Sequence, residues 1–483
     1  MRIKELPLSV DANAPTPLVR QIVDGMIRVI QDGILLPGSP LPGTRPLADH
    51  LGVSRNTVIA AFLELQARGW IGANVRSGSF VSDPVPAGDL GPREGDDETS
   101  RAFSLPTRPD LATGRATWLP PPFIALPDPR LLALEDLRRA YHRALSRRPG
   151  ELLGQSDQLG QPELRKELAT YLGQRRGIRA DSDTLLVTQG NHMGLNLIAK
   201  ALLKSGDRVV AENPGNPTAW DAFHQAGAQL HGVAVDHQGL LVDDVERLLS
   251  EGPIRLLYIS PRFQIPTRVS LSAIRRQRLL ALAKEHRFAI IEDDSEAEYT
   301  YEGTPDLPLA GGSGGGSVIY LNSFSRLLAP GIGLGCIAAP RPAVERMARV
   351  LQAMALPRDM VLERAMADML ATGDIHRHIH RVRKVYRERR DFLLAGLRAR
   401  FAAVFSCETP GGGLSVWIRA NPSLDLEAWS RACAERAVCL SLGRFFSMNQ
   451  EGLPAFSLGF AALEPEEMAQ SLDAMLECLP WPG

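Results

Sequence analysis

Several short stretches of this 483-residue chain have the residue types and spacing to do chemistry. Ser54-Arg55-Asn56-Thr57 sets small polar side chains and an arginine where a helix would begin, and Arg45 opens the segment before it. Free N–H groups and the dipole at a helix start favour phosphate, and side chains of that turn reach base edges in a major groove. Arg76-Ser77-Gly78 has the make-up of a turn tip suited to a minor groove or the sugar–phosphate backbone. Asp293-Asp294 closes an apolar run, and paired carboxylates there can serve acid/base or metal chemistry. Ser323-Phe324-Ser325-Arg326 ends another. A guanidinium keeps its proton at any workable pH, with a pKa above about 12, so Arg326 is no amine nucleophile. It does suit phosphate or carboxylate. His376 and His380, with His378 between them, are an i, i+4 pair of the kind that binds zinc on a helix. No further ligand is in view, and the basic run Arg381–Arg387 reads as a solvated helix face.

The elements that must position these residues are legible. Leu18, Ile22, Met26, Ile27 and Ile30 recur at helix spacing. After Pro37-Gly38 and Pro42-Gly43, Thr44 is expected to cap a short helix through Leu51, stopped by Gly52. Ser54 caps a longer one with Val58, Ala61, Phe62 and Leu65 on one face, ending at Gly69. Trp70-Ile71-Gly72 and Gly78-Ser79-Phe80-Val81 then read as two strands. Residues 1–82 therefore follow a winged helix-turn-helix plan. Taken singly, Ser54 is an N-cap and each arginine a solvated charge. In this order they point to DNA binding. Residues 83–115, rich in Pro, Gly, Asp and Glu, read as a flexible linker. From 116 to 483, short apolar runs alternate with helical patterns. The runs include Leu185-Leu186-Val187, Arg208–Ala211, Leu256–Ile259, Phe288–Ile291 and Val318–Leu321; the helices include Leu195–Leu203 and Ser272–His286. This predicts an α/β domain with a largely parallel sheet covered on both faces, a large subdomain at about 160–370 and a smaller α+β one at about 371–483. The glycine-rich stretch Gly311–Ser317 reads as a surface loop between two elements of that sheet.

Composition bounds the reading. The chain is 44% apolar and 23% charged with a formal net charge of −1, which excludes non-specific coating of nucleic acid but leaves room for a small basic face. Five scattered cysteines without C-x-x-C read as reduced thiols. No membrane span or signal-peptide core is seen, so a cytoplasmic location is expected.

The run Pro37 to Ala48, with Leu51 to Val58, resembles the GntR-type winged-helix family across most of residues 15–82. The resemblance implies that Arg45, Arg55 and Thr57 contact DNA and that Gly78 is the wing glycine. Most of 120–480 resembles the MocR (GabR-like) subfamily, in which such a head is fused to a fold-type-I aminotransferase-like domain. The carriers are Gly160 with Leu164-Arg165, Val187-Thr188-Gln189-Gly190, Gly206-Asp207, Glu212-Asn213-Pro214-Gly215, Gln264-Ile265-Pro266-Thr267, Glu292-Asp293-Asp294, Ser323-Phe324-Ser325, Pro330-Gly331 with Leu334-Gly335, and Leu458-Gly459-Phe460-Ala461. In that fold, pyridoxal phosphate needs an amine for its aldehyde, a cation for its phosphate, a carboxylate for its ring nitrogen and an aromatic to stack on. By resemblance Asp293 keeps the carboxylate. The Schiff-base lysine is Arg326, the phosphate arginine is Gly333, and the tyrosine after the acidic pair is Ser295. The aromatic of the Pro-Gly-Tyr-Pro segment is Asn216, the tyrosine ahead of Gly160 is Gln155, and the carboxylate-binding arginine is Ser457. No other lysine replaces the lost one: Lys4, Lys166, Lys200, Lys204, Lys284 and Lys384 lie in helical patterns or the N-terminal arm.

The expectation is a DNA-binding transcriptional regulator, not an enzyme. Its body would serve dimerisation, as a head-to-tail homodimer on operator DNA, with sensing of an unknown small anionic effector left open. No cofactor is expected. Arg326 excludes covalent pyridoxal phosphate, while non-covalent binding at Gly190, Asn216, Asp293, Ser295, Ser325, Arg326, Gly333 and Ser457 stays open as the alternative. A working aminotransferase is one remaining rival, and a body that is only a dimerisation scaffold, with no ligand at all, is another.

Overall fold

A computed structural model describes residues 6–12, 14–74, 78–83, 125–147, 149–154, 157–303, 306–312 and 314–480. Arg76, Gln155 and all but Asp83 of the expected linker lie outside these. The chain divides into two compact units, Met1–Arg115 and Ala116–Gly483, each described by itself.

In the first unit, helix α1 (Leu18–Gln31) buries Ile22, Val23, Met26, Val29 and Ile30 against α3 (Arg55–Ala67), which buries Val58, Ala61, Phe62 and Leu65. Between them stands α2 (Thr44–Leu51). The turn from α2 to α3 runs through Gly52 at φ +66°, a left-handed conformation that costs glycine nothing. Ser54 caps α3 as expected, its Oγ accepting from the Thr57 amide at 3.1 Å. Thr44 does not cap α2. Gly43 holds that place, and Thr44 is the first helical residue, its hydroxyl facing the Arg55 Nε at 3.4 Å. Strands β1 (Ile71–Asn74) and β2 (Gly78–Val81) pair antiparallel, Ile71 opposite Val81.

The second unit is built on an eight-stranded sheet. Its strands are β3 (Leu185–Thr188), β4 (Arg208–Asn213), β5 (Gln229–Asp236), β6 (Gly239–Leu240), β7 (Leu256–Ile259), β8 (Ala289–Asp293), β9 (Val318–Ser323) and β10 (Gly335–Ala338), in the order β3-β10-β9-β8-β7-β4-β5-β6. Strands β9, β8, β7, β4 and β5 run parallel. Every residue of β7 and β9 is buried, because both faces are covered. Alternate side chains enter opposite cores: Leu257, Ile259, Val318 and Tyr320 one, Leu256, Tyr258, Ile319 and Leu321 the other. β3 runs the same way as β9, so six of the eight strands share one direction and the sheet is largely parallel, with β10 and β6 reversed. β10, which the apolar runs did not reveal, lies antiparallel between β3 and β9. A Cβ on Gly335 would come within 2.8 Å of the Asn322 carbonyl and 2.9 Å of Thr188 Oγ1, so glycine admits that insertion.

The 28-residue helix Asp374–Phe401 leads to a second, antiparallel sheet of β11 (Phe405–Cys407), β12 (Ser415–Ala420), β13 (Ser441–Leu442) and β14 (Ala455–Gly459), ordered β11-β12-β14-β13. Phe401, Phe405, Trp429 and Phe456 pack at its core with ring centroids 5.0–5.4 Å apart. Lys204 lies past its helix, in the loop before β4, rather than in a helix.

The histidine run lies on this long helix, and the histidines diverge. His378 is buried, while His376 edges the Tyr171 ring at 5.7 Å. Among the described residues no group of three or more His, Cys, Asp or Glu could hold a metal. Burial, reinforced by Arg381, depresses the His378 pKa from 6.5 to about 4. The folded state thus holds His378 neutral, and the stability this confers is present above pH 6.5 and is lost as pH falls toward 4. At about 1.4 kcal/mol per pKa unit the window is worth about 3 kcal/mol. His378→Gln should flatten the fall of unfolding free energy between pH 6.5 and 4 in urea titrations. An unchanged slope would refute the assignment.

Candidate functional site

The acidic pair belongs to a longer run. Glu292, Asp293, Asp294, Glu296 and Glu298 are all buried, and each meets its own donors. Glu292 accepts from the Leu309 and Ala310 amides at 2.7 and 2.9 Å, yet burial and the charge of Asp294 push its pKa up to about 7. Asp294 is gripped by Arg262 at 2.8 Å to each oxygen and accepts from Tyr320 at 2.9 Å. Burial raises the Glu298 pKa, but Arg176, Tyr171 and Arg175 outweigh it and hold the carboxyl below its usual range. Asp294 is therefore a structural ion-pair partner.

Asp293, at the end of β8, has donors on both oxygens. Tyr258 donates to Oδ2 at 2.9 Å. Asn191 and the Ser295 amide approach Oδ1, each at 3.2 Å, and the Ser295 hydroxyl donates to the same oxygen. Burial raises the Asp293 pKa, while the Ser295 and Tyr258 hydrogen bonds and the Arg326 charge act against that. Asn216 joins the cluster through Tyr258, its Nδ2 donating to the phenol oxygen at 3.0 Å. Its own Oδ1 accepts from the Thr218 amide at 3.1 Å and caps the helix Pro217–Gln225. A cap, not an aromatic face, stands at this position.

Arg326 lies in the single turn Phe324–Leu327 after β9, its amide donating to Ser323 Oγ at 3.3 Å. Its guanidinium stands 3.5 Å from Glu296 and donates to the Ala125 carbonyl. Glu296 also binds Arg268 at 2.7 Å. Gly190, at φ +80°, starts the helix Gly190–Leu202 beside the Ser325 hydroxyl, which accepts from the Leu334 amide at 3.2 Å. Gly333 occupies a left-handed turn on a cleft of about 350 Å³, with Thr188, Gln189 and Tyr141, and the next amide, of Leu334, donates to Ser325 Oγ. Ser457 lies in β14 between Trp417 and Ser441, and no hydrogen bond among the described residues joins it to Asp293 or Arg326. The five lysines of the second unit are all exposed. The sequence reading missed Asn191, Tyr258 and Glu296. Their partners are distant in sequence, and neither amide nor phenol carries a spacing signal.

In the first unit, Arg45, Ser54, Arg55 and Asn56 are exposed and Thr57 is half-buried, its hydroxyl 2.8 Å from Ser54 Oγ. Gly78, at φ +80°, opens β2 on the surface. No acidic residue lies in the first turn of α3, so nothing there repels phosphate.

Residues 18–81 match the family model for bacterial regulatory proteins of the gntR family, and residues 128–475 match that for aminotransferase class I and II. The chain is 30% identical to the HTH-type transcriptional regulator TauR of Rhodobacter capsulatus, over 94% of this chain and 95% of that protein. It is 29% identical to a protein named as a probable rhizopine catabolism regulatory protein, MocR, of Rhizobium meliloti, over 97% and 95%. The second unit is similar to the crystal structure of LysN, an α-aminoadipate aminotransferase of Thermus thermophilus, with a TM-score of 0.69 and 28% identity over 74% of this chain and 90% of that one. The chain belongs to the MocR-like regulators of the GntR family. As a GntR-type regulator it pairs a helix-turn-helix head that binds operator DNA with a fold-type-I aminotransferase domain. No helix of the regulator, among the described residues, is long and apolar enough to cross a membrane.

The first turn of α3 sets a testable contact. Arg55→Ala should weaken the regulator's specific operator affinity by about 1–3 kcal/mol if the side chain reads a base edge. Fluorescence anisotropy at fixed salt measures this, and unchanged affinity would remove Arg55 from the readout.

Proposed function

We propose that this regulator works without Schiff-base chemistry. Its aminotransferase-like body serves as dimerisation body and as receptor for a small anion, and its head reads the operator in the cytoplasm. One observation carries the reading: the side chain at the end of β9 is the guanidinium of Arg326, already shared between Glu296 and Ala125, while the five described lysines are exposed. A guanidinium forms no aldimine.

The other residues support the same reading. The residues do not fit a covalently held pyridoxal phosphate. Asn191 and Ser295 crowd one oxygen of the Asp293 carboxylate, and Tyr258 leaves the other with a single donor. No aromatic stands at Asn216 to stack on a ring, and Gly333 offers no cation for a phosphate. The retained buried carboxylate of Asp293 favours, as second reading, pyridoxal phosphate bound without a covalent bond.

A homodimer in head-to-tail arrangement would present two heads to paired half-sites. Exposed Leu153 and Leu356, bordering a cleft of about 810 Å³, offer apolar surface for subunit contact. An effector acts only by binding one arrangement of heads better than another.

Arg326→Lys restores an amine but not the phosphate and stacking partners. Assayed with pyridoxal phosphate, an amino acid and a 2-oxo acid, this variant should transfer no amino group. Measurable transfer would show that the rest of the site still supports catalysis.

A further inference from the structure

Arg326 does more than fill a lysine's place. Its guanidinium donates to the carbonyl of Ala125, which is 201 residues distant in sequence. Ala125 is the first described residue after 84–124, the covalent connection from head to body. Three residues on, Asp128 is fixed independently. Its amide donates to Tyr386 Oη at 2.9 Å, and its carboxylate, almost wholly buried, binds Arg389 at 2.9 Å. The entry segment therefore has two fastenings. One, at Asp128, belongs to the helix Asp374–Phe401. The other, at Ala125, belongs to the turn after β9.

The two differ in how firmly they hold. Asp128 is sealed from water. Arg326 is 31% exposed, its ion pair with Glu296 is long at 3.5 Å, and that Glu296 oxygen makes no hydrogen bond. Glu296 directs its other oxygen to Arg268 at 2.7 Å and to the Leu414 amide at 3.0 Å. A guanidinium carries five N–H donors in a fork that matches an oxyanion. Here one is taken by a neutral carbonyl, and the others have no hydrogen-bond partner among the described residues. Asp293, Glu296, Arg268 and His192 are its charged or titratable neighbours. An uncharged acceptor in this place competes poorly with a phosphate or carboxylate oxygen.

We propose that Arg326 is a releasable fastening: it ties the segment that enters the body at Ala125 to the former cofactor site, and a small carboxylate or phosphate that takes its guanidinium frees that segment as far as Asp128. The inference rests on the reading of the body as an anion receptor, and adds how occupancy is passed to the chain that leads to the head. The entropy of the entry segment is then the quantity the ligand changes.

The mobility of the entry segment in the full-length protein, read by electron spin resonance of a nitroxide on Leu126→Cys with Cys407, Cys439 and Cys478 replaced by alanine, tests it. A hydrogen bond from a charged donor shifts a local opening equilibrium by about tenfold or more. Arg326→Ala should therefore raise the ratio of mobile to immobile label by about tenfold, while Arg326→Lys, which keeps a charged donor, retains most of the immobile fraction. Phosphate or succinate should raise the same ratio with Arg326 in place, and sodium chloride at equal ionic strength should not. Unchanged mobility in Arg326→Ala overturns the fastening. An equal rise with sodium chloride, or none with phosphate and succinate, overturns its release by an anion. The receptor reading fails separately, if calorimetry finds no saturable binding of either anion to the wild type.

Discussion

Buried carboxylates must find donors or give up their charge, and this constraint shapes the body around residues 292–298. Five acids in that stretch are sheltered from water, and each is met by a different part of the chain. Glu292 holds the loop at Leu309 and Ala310, Asp294 holds Arg262, Glu296 holds Arg268 and the Leu414 amide, and Glu298 holds Tyr171 and Arg175. Strand β8 and its extension thereby fasten the large sheet to the helix Pro162–Arg176 and to the second sheet. Removing a partner from such a site strands a charge, at a cost of about 3–5 kcal/mol. The arrangement of the site follows from this frame, since Asp293 and Glu296 are two of its members.

A lysine and an arginine at the end of β9 are both cations, but they lead to different chemistry. Lysine sheds its proton when buried and can attack a carbonyl, whereas arginine stays charged and binds oxygens in its plane. With Arg326 in place, the site offers recognition without a reacting atom. Ser295 and Asn191 both donate to one oxygen of Asp293, which on the proposed reading is their role in a site without a covalent cofactor. What stays useful to a regulator is a charged, partly exposed group within a rigid frame, connected to the chain that leads to the DNA-binding head.

Much of this was legible in the sequence, and the rest was hidden for physical reasons. Period and capping revealed the head, because local backbone chemistry decides there: Ser54 caps α3, and Gly52 makes the turn. Even so, Thr44 and Gly43 exchange roles at α2, because an N-cap needs an extended backbone that glycine adopts as readily as threonine. The apolar runs gave β3, β4, β7, β8 and β9, but not β5, most of whose residues are exposed or half-buried. They did not give β10, a four-residue strand buried on both faces that opens with a glycine and so shows neither alternation nor a long apolar run. Asp293, Ser295, Asn216 and Arg326 were legible by resemblance, and the fold brings them together. Gly333 and Ser457 were named in the same way; Gly333 lies beside Leu334, which binds Ser325, and Ser457 lies in β14. Tyr258, Asn191 and Glu296 were not legible, since only tertiary contact gives them a role.

The central claim is that the body has kept the aminotransferase fold and lost its covalent cofactor. An absorbance titration of the purified regulator with pyridoxal phosphate, followed by borohydride reduction and mass analysis, tests it most directly. The account predicts no aldimine band and no mass adduct on any lysine, with or without saturable non-covalent binding. A stoichiometric adduct on a single lysine would contradict it.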